Sequence, residues 1–596
     1  MDGTASSRKG LRTTTRKWAA FFAQFLRLAG PYWTNPDTRW QAHIQSASLT
    51  ALTVIQVGIP IAINKWSERL FDALEQKAMD RFLFLIGVLG LIIAVNVVIV
   101  VTHLWVKRKL QVTWRAWLTH RILGEWMASG RHYQLGYRPG EHDNPDGRIA
   151  EDVRIATETA VELAHSLLYC LLLLVSFTAI LWDLSGDPEL HFGGYDIYLP
   201  GHLVWIALLY TGAGTTVAWL LGQPLVGAAN RRQKHEANFR FGLAHSREYS
   251  LEIALQRGEA GERRNLLTLF KGAVDAWNRQ TKALASLFFF TSSWSVLTQV
   301  FPVLVAAPRY IGGTITLGVL MQTSQAFQQM VGALSWPIDN LANVANWRAS
   351  VDRVLGLHDA LDEVAQRVNP EGARMIRVEV GERPVLSFDE LSIADQDGET
   401  EVEGFSGEIL PGQRVLISGD PGTCLKICKA VAGLWPWGGG RLRLPCNGPI
   451  FFMPQQPYLP LGTLKDALTY PAPPGTYGVV EIANAFRRVG LEDLFPSLDD
   501  IEQWADVLSV GEQQRLGFAR LLLFRPNWIF IQEALDSLEP QERIDMMQLV
   551  ADEFPDAGII TVSHHSNLDR FHPRSLALTN GDVVEELAPE ESGDGE

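Results

Sequence analysis

The sequence predicts a multidomain membrane protein: a six-helix α-helical transmembrane domain followed by a cytosolic α/β domain of the phosphate-loop type. Nearly all of the long apolar runs fall in residues 1–350, whereas residues 376–596 alternate short strands, turns and helices. In this second part a strand runs into a glycine-containing turn and then a helix, which is the local order of a phosphate-binding loop. A chain of 596 residues is also too long for one compact domain.

Changes in composition divide the chain into five segments. These are a basic N-terminal segment with an elbow helix (1–35), the six-helix transmembrane domain (36–355), a linker (356–375), the α/β domain (376–585) and an acidic disordered tail (586–596). The net charge of −14 argues against a nucleic-acid partner, which would require a basic face. The four cysteines give no disulfide framework, and Cys424 and Cys428 lack the further ligands of a metal site.

Six stretches meet the requirement for about 20 mostly apolar residues in a membrane-spanning helix. They are residues 43–65, 82–105, 160–182, 202–223, 285–307 and 316–338. Buried soluble helices are the alternative for the first and the sixth, which contain several polar residues. Lys and Arg concentrate in segments 107–154 and 231–264, and loop 183–201 contains neither. Because positive loops stay in the cytosol, both termini are predicted to be cytosolic.

The sixth stretch carries Gln322, Gln325 and Gln329 at helical spacing. Amide side chains inside a membrane are costly unless they face water or each other. The stripe predicts a polar translocation cavity, and interhelical hydrogen bonding is the alternative. At the start of the third stretch, Glu158, Glu162 and His165 share one helix face. A charged face at the membrane surface is the preferred interpretation there, and a proton relay is the alternative.

The α/β domain contains a phosphate-loop pattern, G-x-x-x-x-G-K-[ST], in altered form. Its version is Gly419-Asp-Pro-Gly422-Thr423-Cys424-Leu425-Lys426, between a strand and a helix. Four strings then follow in order. They are FFMPQQPYLPLGTL with Gln455, LSVGEQQR with Ser509, Gly511 and Glu512, IFIQE ending at Glu533, and ITVSHH with His564.

These strings, together with YWTNPDTRW, NKWSERLFDALEQ, NPDGRIAEDVR, HEANFRFGLAHSREYSLEIAL and AGLWPWGGG, resemble the ABC half-transporters of the SbmA/BacA-like branch. This branch is related to the peroxisomal fatty-acyl ABC transporters, and the resemblance covers residues 30–580. It implies an ATPase-driven translocase, a homodimer that exchanges membrane helices, and two ATP sites between nucleotide-binding domains. The implied cargo is peptides or other small molecules, such as antimicrobial peptides or cobalamin, and the implied location is the bacterial inner membrane.

The resemblance also implies roles for individual residues. The loop residues Gly419, Gly422, Thr423, Cys424, Leu425 and Lys426 would contact ATP, and Gln455 would sense Mg²⁺. Ser509, Gly511 and Glu512 would close over the γ-phosphate of the ATP in the opposite subunit. Glu533 would be the catalytic carboxylate and His564 the switch histidine.

Several of these positions depart from the family pattern. Leu425 replaces the lysine that contacts the β- and γ-phosphates, Lys426 the magnesium-binding hydroxyl, and Gln532 the magnesium-binding aspartate. We expect the loss of these contacts to weaken the binding of ATP and Mg²⁺. We expect it to reduce the stabilisation of the transition state for hydrolysis even more. A compensating contact from Lys426 or Lys429 is the alternative.

Three hypotheses follow. The first is a transporter with weak ATP hydrolysis, either as a homodimer or as a heterodimer with a competent subunit. The second is an uptake transporter driven by the proton gradient, in which the nucleotide domain does not hydrolyse ATP. The third is a membrane-anchored scaffold or regulator.

Overall fold

The computed structural model describes residues 18–137, 144–186, 189–192, 195–198, 200–367, 375–395, 398–563, 566–579 and 582–587. The chain divides into two compact units: residues 1–125 with 139–360, and residues 126–138 with 361–596. The short segment 126–138, which follows the second long helix, thus belongs with the C-terminal unit. His564, residues 1–17 of the basic N-terminal segment and residues 588–596 of the acidic tail lie outside the described residues.

The first unit is helical. After a helix over residues 18–29 and a short turn of helix at Pro31–Thr34, seven long helices follow. They are α1 Arg39–Glu75, α2 Met79–Met127, α3 Val153–Ser185, α4 His202–Glu248, α5 Glu259–Ile311, α6 Leu317–Asp339 and α7 Leu341–Arg367. Short helical segments of this unit lie at Pro145–Gly147, Arg148–Asp152 and Ser250–Leu255. Those at Ala128–Gly130, Arg131–Gln134 and Leu135–Tyr137 belong to the second unit. A hairpin, β1 Glu189–Phe192 with β2 Tyr195–Tyr198, joins α3 to α4.

Five helices in the described part of the chain are long and apolar enough to cross a membrane, namely α1 to α5. The sixth predicted span coincides with α6, a helix of 23 residues that is less apolar but reaches about 35 Å at 1.5 Å per residue. Helices α2, α4 and α5 contain 49, 47 and 53 residues, so each extends well beyond the roughly 20 residues that a bilayer requires.

Helix α6 is held at its N-terminus by α1. Thr316 caps the helix, and the carboxylate of Asp72 accepts a hydrogen bond from the backbone N–H of Gly318 at 3.0 Å. Negative charge there stabilises the positive end of the helix dipole. A Cβ atom on Gly318 would lie 2.2 Å from the carbonyl oxygen of Glu68, so this close contact requires glycine. Contacts with α1 therefore fix the least apolar of the six predicted spans.

The second unit contains two sheets and a helical part. Its strands are β3 Arg377–Val380, β4 Leu386–Ala394, β5 Thr400–Ile409, β6 Arg414–Ser418, β7 Gly438–Leu444, β8 Ile450–Met453, β9 Gly462–Thr463, β10 Ile501–Glu502, β11 Trp528–Gln532, β12 Gly558–Val562, β13 Arg574–Thr579 and β14 Asp582–Leu587. Its helices are α8 Pro421–Val431, α9 Leu464–Thr469, α10 Val479–Val489, α11 Val510–Phe524 and α12 Pro540–Glu553, with shorter helical segments at Glu492–Ser497, Trp504–Val507 and Ser566–Phe571.

The larger sheet has the strand order β14-β13-β6-β12-β11-β8 and is parallel except for β14. Fully buried strands such as β12, which reads GIITV, are typical of parallel sheets covered on both faces. The smaller sheet has the order β3-β7-β4-β5. Helices α9 to α11 pack around Leu468, Phe486 and Phe518 and form a separate helical part of this unit.

Candidate nucleotide site and membrane-domain polar residues

The predicted phosphate loop begins as expected at the end of β6. Gly419 follows β6 with φ of 146°, and a Cβ atom there would lie 2.6 Å from Cβ of Leu578. Beyond Gly419, however, the chain forms no open loop. Helix α8 already begins at Pro421, so Gly422, Thr423 and Cys424 are helical. The backbone that would encircle a phosphate forms the first turn of a helix instead.

Asp420 explains this early start, because it caps the helix. Its carboxylate accepts hydrogen bonds from the backbone N–H of Thr423 at 3.0 Å and from the Thr423 hydroxyl at 3.2 Å. The backbone hydrogen bond is the main reason why the pKa of Asp420 is held below its ordinary value. Asp420 is therefore ionised at neutral pH, and its negative charge lies at the helix N-terminus where a phosphate would bind.

Lys426 does not point to the loop opening as a free cation. Its ammonium forms an ion pair with Glu401 and lies 5.5 Å from the centre of the Trp435 ring. Glu401 also accepts a hydrogen bond from the Thr423 hydroxyl at 3.1 Å. Leu425, at the position of the missing lysine, is half-buried and supplies no charge. In this arrangement Lys426 neutralises a carboxylate of its own domain.

Cys424, at the position of a loop glycine, is completely buried. Burial, with smaller contributions from the charges of Asp420 and Glu533, raises the pKa of its thiol to about 12. Glu533 follows β11 and Gly419 follows β6, and these parallel strands flank β12, so both residues lie at the same edge of the larger sheet. Glu533 follows β11 with φ of 49°, and its backbone N–H donates to the carbonyl of Val562 at 3.0 Å. The described part of this region thus contains acidic groups, while Lys426 is already paired with Glu401.

A native-state thiol experiment tests whether this loop is closed. At pH 7 a thiol with a pKa of about 12 is expected to react about a thousandfold more slowly than an ordinary cysteine, because the thiolate is the reacting form. A maleimide is therefore expected to label the exposed Cys446 and to leave Cys424 unlabelled, with or without Mg-ATP. Denatured protein, in which all four cysteines react, is the control. Labelling of Cys424 that depends on Mg-ATP would mean that nucleotide reopens the loop.

The other predicted nucleotide contacts lie on separate elements. Gln455 is exposed after β8, and its carbonyl accepts a hydrogen bond from Gln514 at 3.1 Å. Ser509 caps α11, its hydroxyl accepting from the backbone N–H of Glu512 at 3.3 Å. The Glu512 carboxylate in turn accepts from the Ser509 backbone N–H at 2.8 Å. Gly511 lies in the same first turn. The start of α11 is exposed at Ser509, and the reciprocal hydrogen bonds of Ser509 and Glu512 form a capping box there.

No group of three or more His, Cys, Asp or Glu side chains in the described residues has the geometry to hold a metal ion. Gln532, at the end of β11, presents an amide where the pattern has an aspartate. An amide oxygen carries no charge and is a weaker ligand for Mg²⁺ than a carboxylate, since this hard cation prefers carboxylate oxygens. The residues present therefore do not provide the charged magnesium site of an intact phosphate-loop domain.

Segment 126–138 is attached to the back of α8 by an aromatic cluster. We call the five residues Tyr133, Tyr137, Lys429, Trp435 and Trp437 the lysine cage. The Lys429 ammonium lies 5.6 Å from the ring centres of both Tyr133 and Trp435. It donates to the Tyr137 hydroxyl at 3.4 Å, and the Tyr137 ring packs on both tryptophans.

The cage keeps its cation charged. Burial alone would lower the pKa of Lys429, but its hydrogen bonds to Tyr133 and Tyr137 raise the pKa above the ordinary value. Cation–π contacts strengthen when the cation is shielded from water. Sequence reasoning missed this cluster, since Tyr133 and Tyr137 lie about 300 residues from Lys429. Asp420 was also missed, although Asp followed by Pro is a recognisable signal for the start of a helix.

The three glutamines of the predicted stripe on α6 have different environments. Gln325 donates to the Ser67 hydroxyl at 2.9 Å, and the carbonyl of Gln322 accepts from Asn64 at 2.9 Å, both across to α1. Gln322 is buried, whereas Gln329 is exposed. The hydrogen bonds to α1 agree with the interhelical alternative for Gln325. A neighbouring amide, Gln328, lines a cavity on another face of α6.

The charged residues at the start of α3 are paired with basic side chains. Glu158 lies 3.7 Å from both Arg115 and Arg154, and Glu162 lies 3.8 Å from Lys107. This agrees with a charged face. His165 differs, because its ring packs edge-on against His103 with ring centres 4.2 Å apart. In the described residues, neither Nε2 atom of this histidine pair has a hydrogen-bond partner.

Comparison with known proteins identifies the fold and the relatives of this chain. The family profile for the ABC transporter transmembrane region 2 matches residues 33–311. The inner membrane ABC transporter ATP-binding protein YddA of Escherichia coli (strain K12) is 30% identical over 91% of this chain and 95% of the relative. ABC transporter D family member 2, chloroplastic, of Arabidopsis thaliana is 28% identical over 94% of this chain and 86% of the relative.

Among solved structures, a bacterial Atm1-family ABC exporter with ATP bound superimposes with a TM-score of 0.67. The alignment covers 91% of this chain and 94% of the exporter at 16% identity, so it shows the fold alone. The predicted architecture, a helical membrane domain with a C-terminal α/β nucleotide-binding domain, is confirmed.

Proposed function

We propose that this chain, which belongs to the ABC transporter family as a half-transporter with relatives in the D group, moves its cargo with weakened ATP binding. The proposed cargo is peptides or other hydrophilic or amphiphilic small molecules, including antimicrobial-peptide-like and cobalamin-like compounds. The proposed location is the bacterial inner membrane, with both termini in the cytosol. This cargo and location rest on the resemblance to the SbmA/BacA-like branch and on the inner-membrane relative.

One observation supports the weakened ATP site above all others. The phosphate loop has become the first turn of α8, and the Asp420 carboxylate caps that turn. Binding of a triphosphate would require this turn to unwind, the carboxylate to leave and the Lys426–Glu401 pair to separate. Each step costs free energy that an intact loop does not expend. In a homodimer both ATP sites carry the same changes, and a heterodimer with a competent subunit is the remaining way to retain one intact phosphate loop.

Nucleotide titration of the purified full-length protein tests this proposal. We expect no magnesium-dependent ATP binding below millimolar concentration, and an ATPase rate near background that Glu533→Gln leaves unchanged. Glu533→Gln removes the catalytic carboxylate of the family pattern while preserving size, so it is the matched control for residual hydrolysis. Micromolar magnesium-dependent binding, together with hydrolysis abolished by Glu533→Gln, would instead establish an ordinary ATP-driven transporter.

The histidine pair favours a second candidate, uptake driven by the proton gradient. His103 is buried, His165 is half-buried, and Lys107 next to them is already paired with Glu162. Two imidazoles in contact cannot both be protonated without repulsion, so the pair would carry one added proton at a time. This candidate predicts uptake that stops with a protonophore and with His165→Asn but continues in Glu533→Gln. Uptake that stops when ATP is depleted at a constant gradient would exclude it.

A further inference from the structure

The membrane domain contains a cavity between α4, α5 and α6 with a volume of about 520 Å³. This is within the usual size range of small-molecule sites. Its uncharged polar lining comprises the hydroxyl residues Thr211, Thr215, Thr291, Ser295, Thr298 and Ser335 and the amide residues Gln299 and Gln328. Hydroxyl and amide groups gathered at membrane depth are uncommon unless they bind each other, water or a solute.

Most hydroxyls with a described partner bind to their own helix. Ser335 donates to the carbonyl of Val331 at 2.9 Å, and Thr298 donates to the carbonyl of Trp294 at 2.8 Å. Thr211 is different. It is only 6% exposed, and in the described structure its hydroxyl has no hydrogen-bond partner. Because buried polar atoms are almost always paired, a hydrogen-bond partner that the described residues do not supply is expected at this hydroxyl.

One wall of the cavity is aromatic and rigid. The Trp294 ring stacks on Tyr210 with centres 4.3 Å apart and on Phe290 with centres 5.4 Å apart. It also lies directly against the backbone of α4, since a Cβ atom on Gly214 would come within 2.4 Å of the indole. Gly214 therefore allows the indole to occupy this position in the cavity wall.

The charges of the lining restrict the solute further. Asp339, at the end of α6, is the carboxylate among the lining residues, and the described lining contains no Lys, Arg or His. A phosphate or other polyanion would be repelled by Asp339 and would find no cation there. A purely apolar chain would leave the hydroxyls and amides without partners, at a desolvation cost.

We propose that this cavity is a cargo site for a neutral or singly cationic solute that combines a planar apolar group with several hydrogen-bonding groups. This proposal rests on the proposed transport function and names the solute class. Thr211 donates a hydrogen bond to the solute, Trp294 packs against its planar group, and Asp339 selects a positive charge over a negative one.

Binding of three simple probes to the purified full-length protein without nucleotide tests the proposal. The probes are N-acetylphenylalaninamide (neutral), phenylalaninamide (cationic) and phenyl phosphate (anionic), measured by calorimetry and thermal shift. The first two are expected to bind and the third is not. Thr211→Val and Gly214→Ala should each lower affinity at least about tenfold, since one removes a hydrogen bond and the other displaces Trp294. Asp339→Asn should weaken the discrimination between the cationic and the anionic probe.

Two matched variants on the same helix are the controls. Thr216→Val removes a hydroxyl that binds the carbonyl of Gly212 and does not line the cavity. Gly212→Ala adds a methyl group where no atom lies within 4 Å. Both should bind the probes as the wild type does. Equal loss of affinity in Thr216→Val and Thr211→Val, tight binding of phenyl phosphate, or a cavity that takes only phospholipid would overturn the assignment. Because no nucleotide is present, failure here is distinguishable from failure of the weakened-ATP proposal.

Discussion

A variant carrying Asp420→Ser, Cys424→Gly, Leu425→Lys, Lys426→Ser and Gln532→Asp is expected to bind Mg-ATP about a thousandfold more tightly than the wild type. The added lysine and the two magnesium ligands form charge-assisted contacts, each of which contributes about 1.5 to 3 kcal/mol. A gain of about 4 kcal/mol corresponds to roughly a thousandfold in affinity. Removing Asp420 matters as much as adding the lysine, because its carboxylate stabilises the helical form of the loop.

Two control variants separate these effects. The same variant with Asp420 retained should bind ATP about tenfold less tightly, because the helix cap and its negative charge remain. Leu425→Met, which adds no charge, should bind as the wild type does. Isothermal titration with and without Mg²⁺ measures all three. If the five-residue variant keeps the wild-type melting temperature and gains no affinity, the loop sequence is not what weakens the site.

Trp435→Ala is expected to disrupt the attachment of segment 126–138 to α8. Trp435 is 5% exposed, its indole N–H donates to the carbonyl of Ala394 at 2.9 Å, and its ring contacts Lys426, Lys429, Tyr137 and Trp437. Replacing a buried tryptophan with alanine typically costs about 3 to 5 kcal/mol. Local opening of this region should therefore become at least a hundredfold more frequent, which hydrogen exchange of peptides covering 126–138 and 421–437 measures in the full-length protein.

Graded variants test the same cage. Trp435→Phe retains an aromatic face and should increase exchange much less than alanine does. Lys429→Met retains the side-chain length but removes the cation, and should raise exchange of 126–138 by about tenfold. Tyr458→Ala, at an exposed aromatic residue of the same unit, should leave both peptides unchanged. Exchange in Trp435→Ala equal to that in Tyr458→Ala would show that the cage does not hold the segment.

The cage and the altered loop are two sides of one helix. The N-terminus of α8 is closed by Asp420, and its lateral face holds Lys426 and Lys429 against Trp435. Both lysines of α8 thus form contacts within the C-terminal unit, which makes compensation of the missing loop lysine by either of them unfavourable. If Lys426 or Lys429 reached the phosphates, it would lose its cation–π contact with Trp435. Lys426 would also lose its ion pair with Glu401.

The sequence by itself determined the class of this protein and the positions of its elements. Long apolar runs indicate membrane helices because each must bury about 20 residues in hydrocarbon. Short local motifs, such as the string at Ser509–Glu512, specify helix caps through neighbouring residues. The missing lysine at Leu425 and the missing aspartate at Gln532 were also evident, since a lost charge can be read from the residue alone.

Only the tertiary structure decided how the remaining groups are used. Several features depend on residues that are distant in sequence. They are the ion pair of Lys426 with Glu401, the lysine cage, the hydrogen bond from Gln325 to Ser67 and the burial of the Thr211 hydroxyl, which has no partner among the described residues. Helical spacing places Gln322, Gln325 and Gln329 on neighbouring turns, but it does not determine which helix packs against each side chain. That choice depends on how α1, α4, α5 and α6 pack together, because burial and hydrogen bonding arise from the whole assembly of helices.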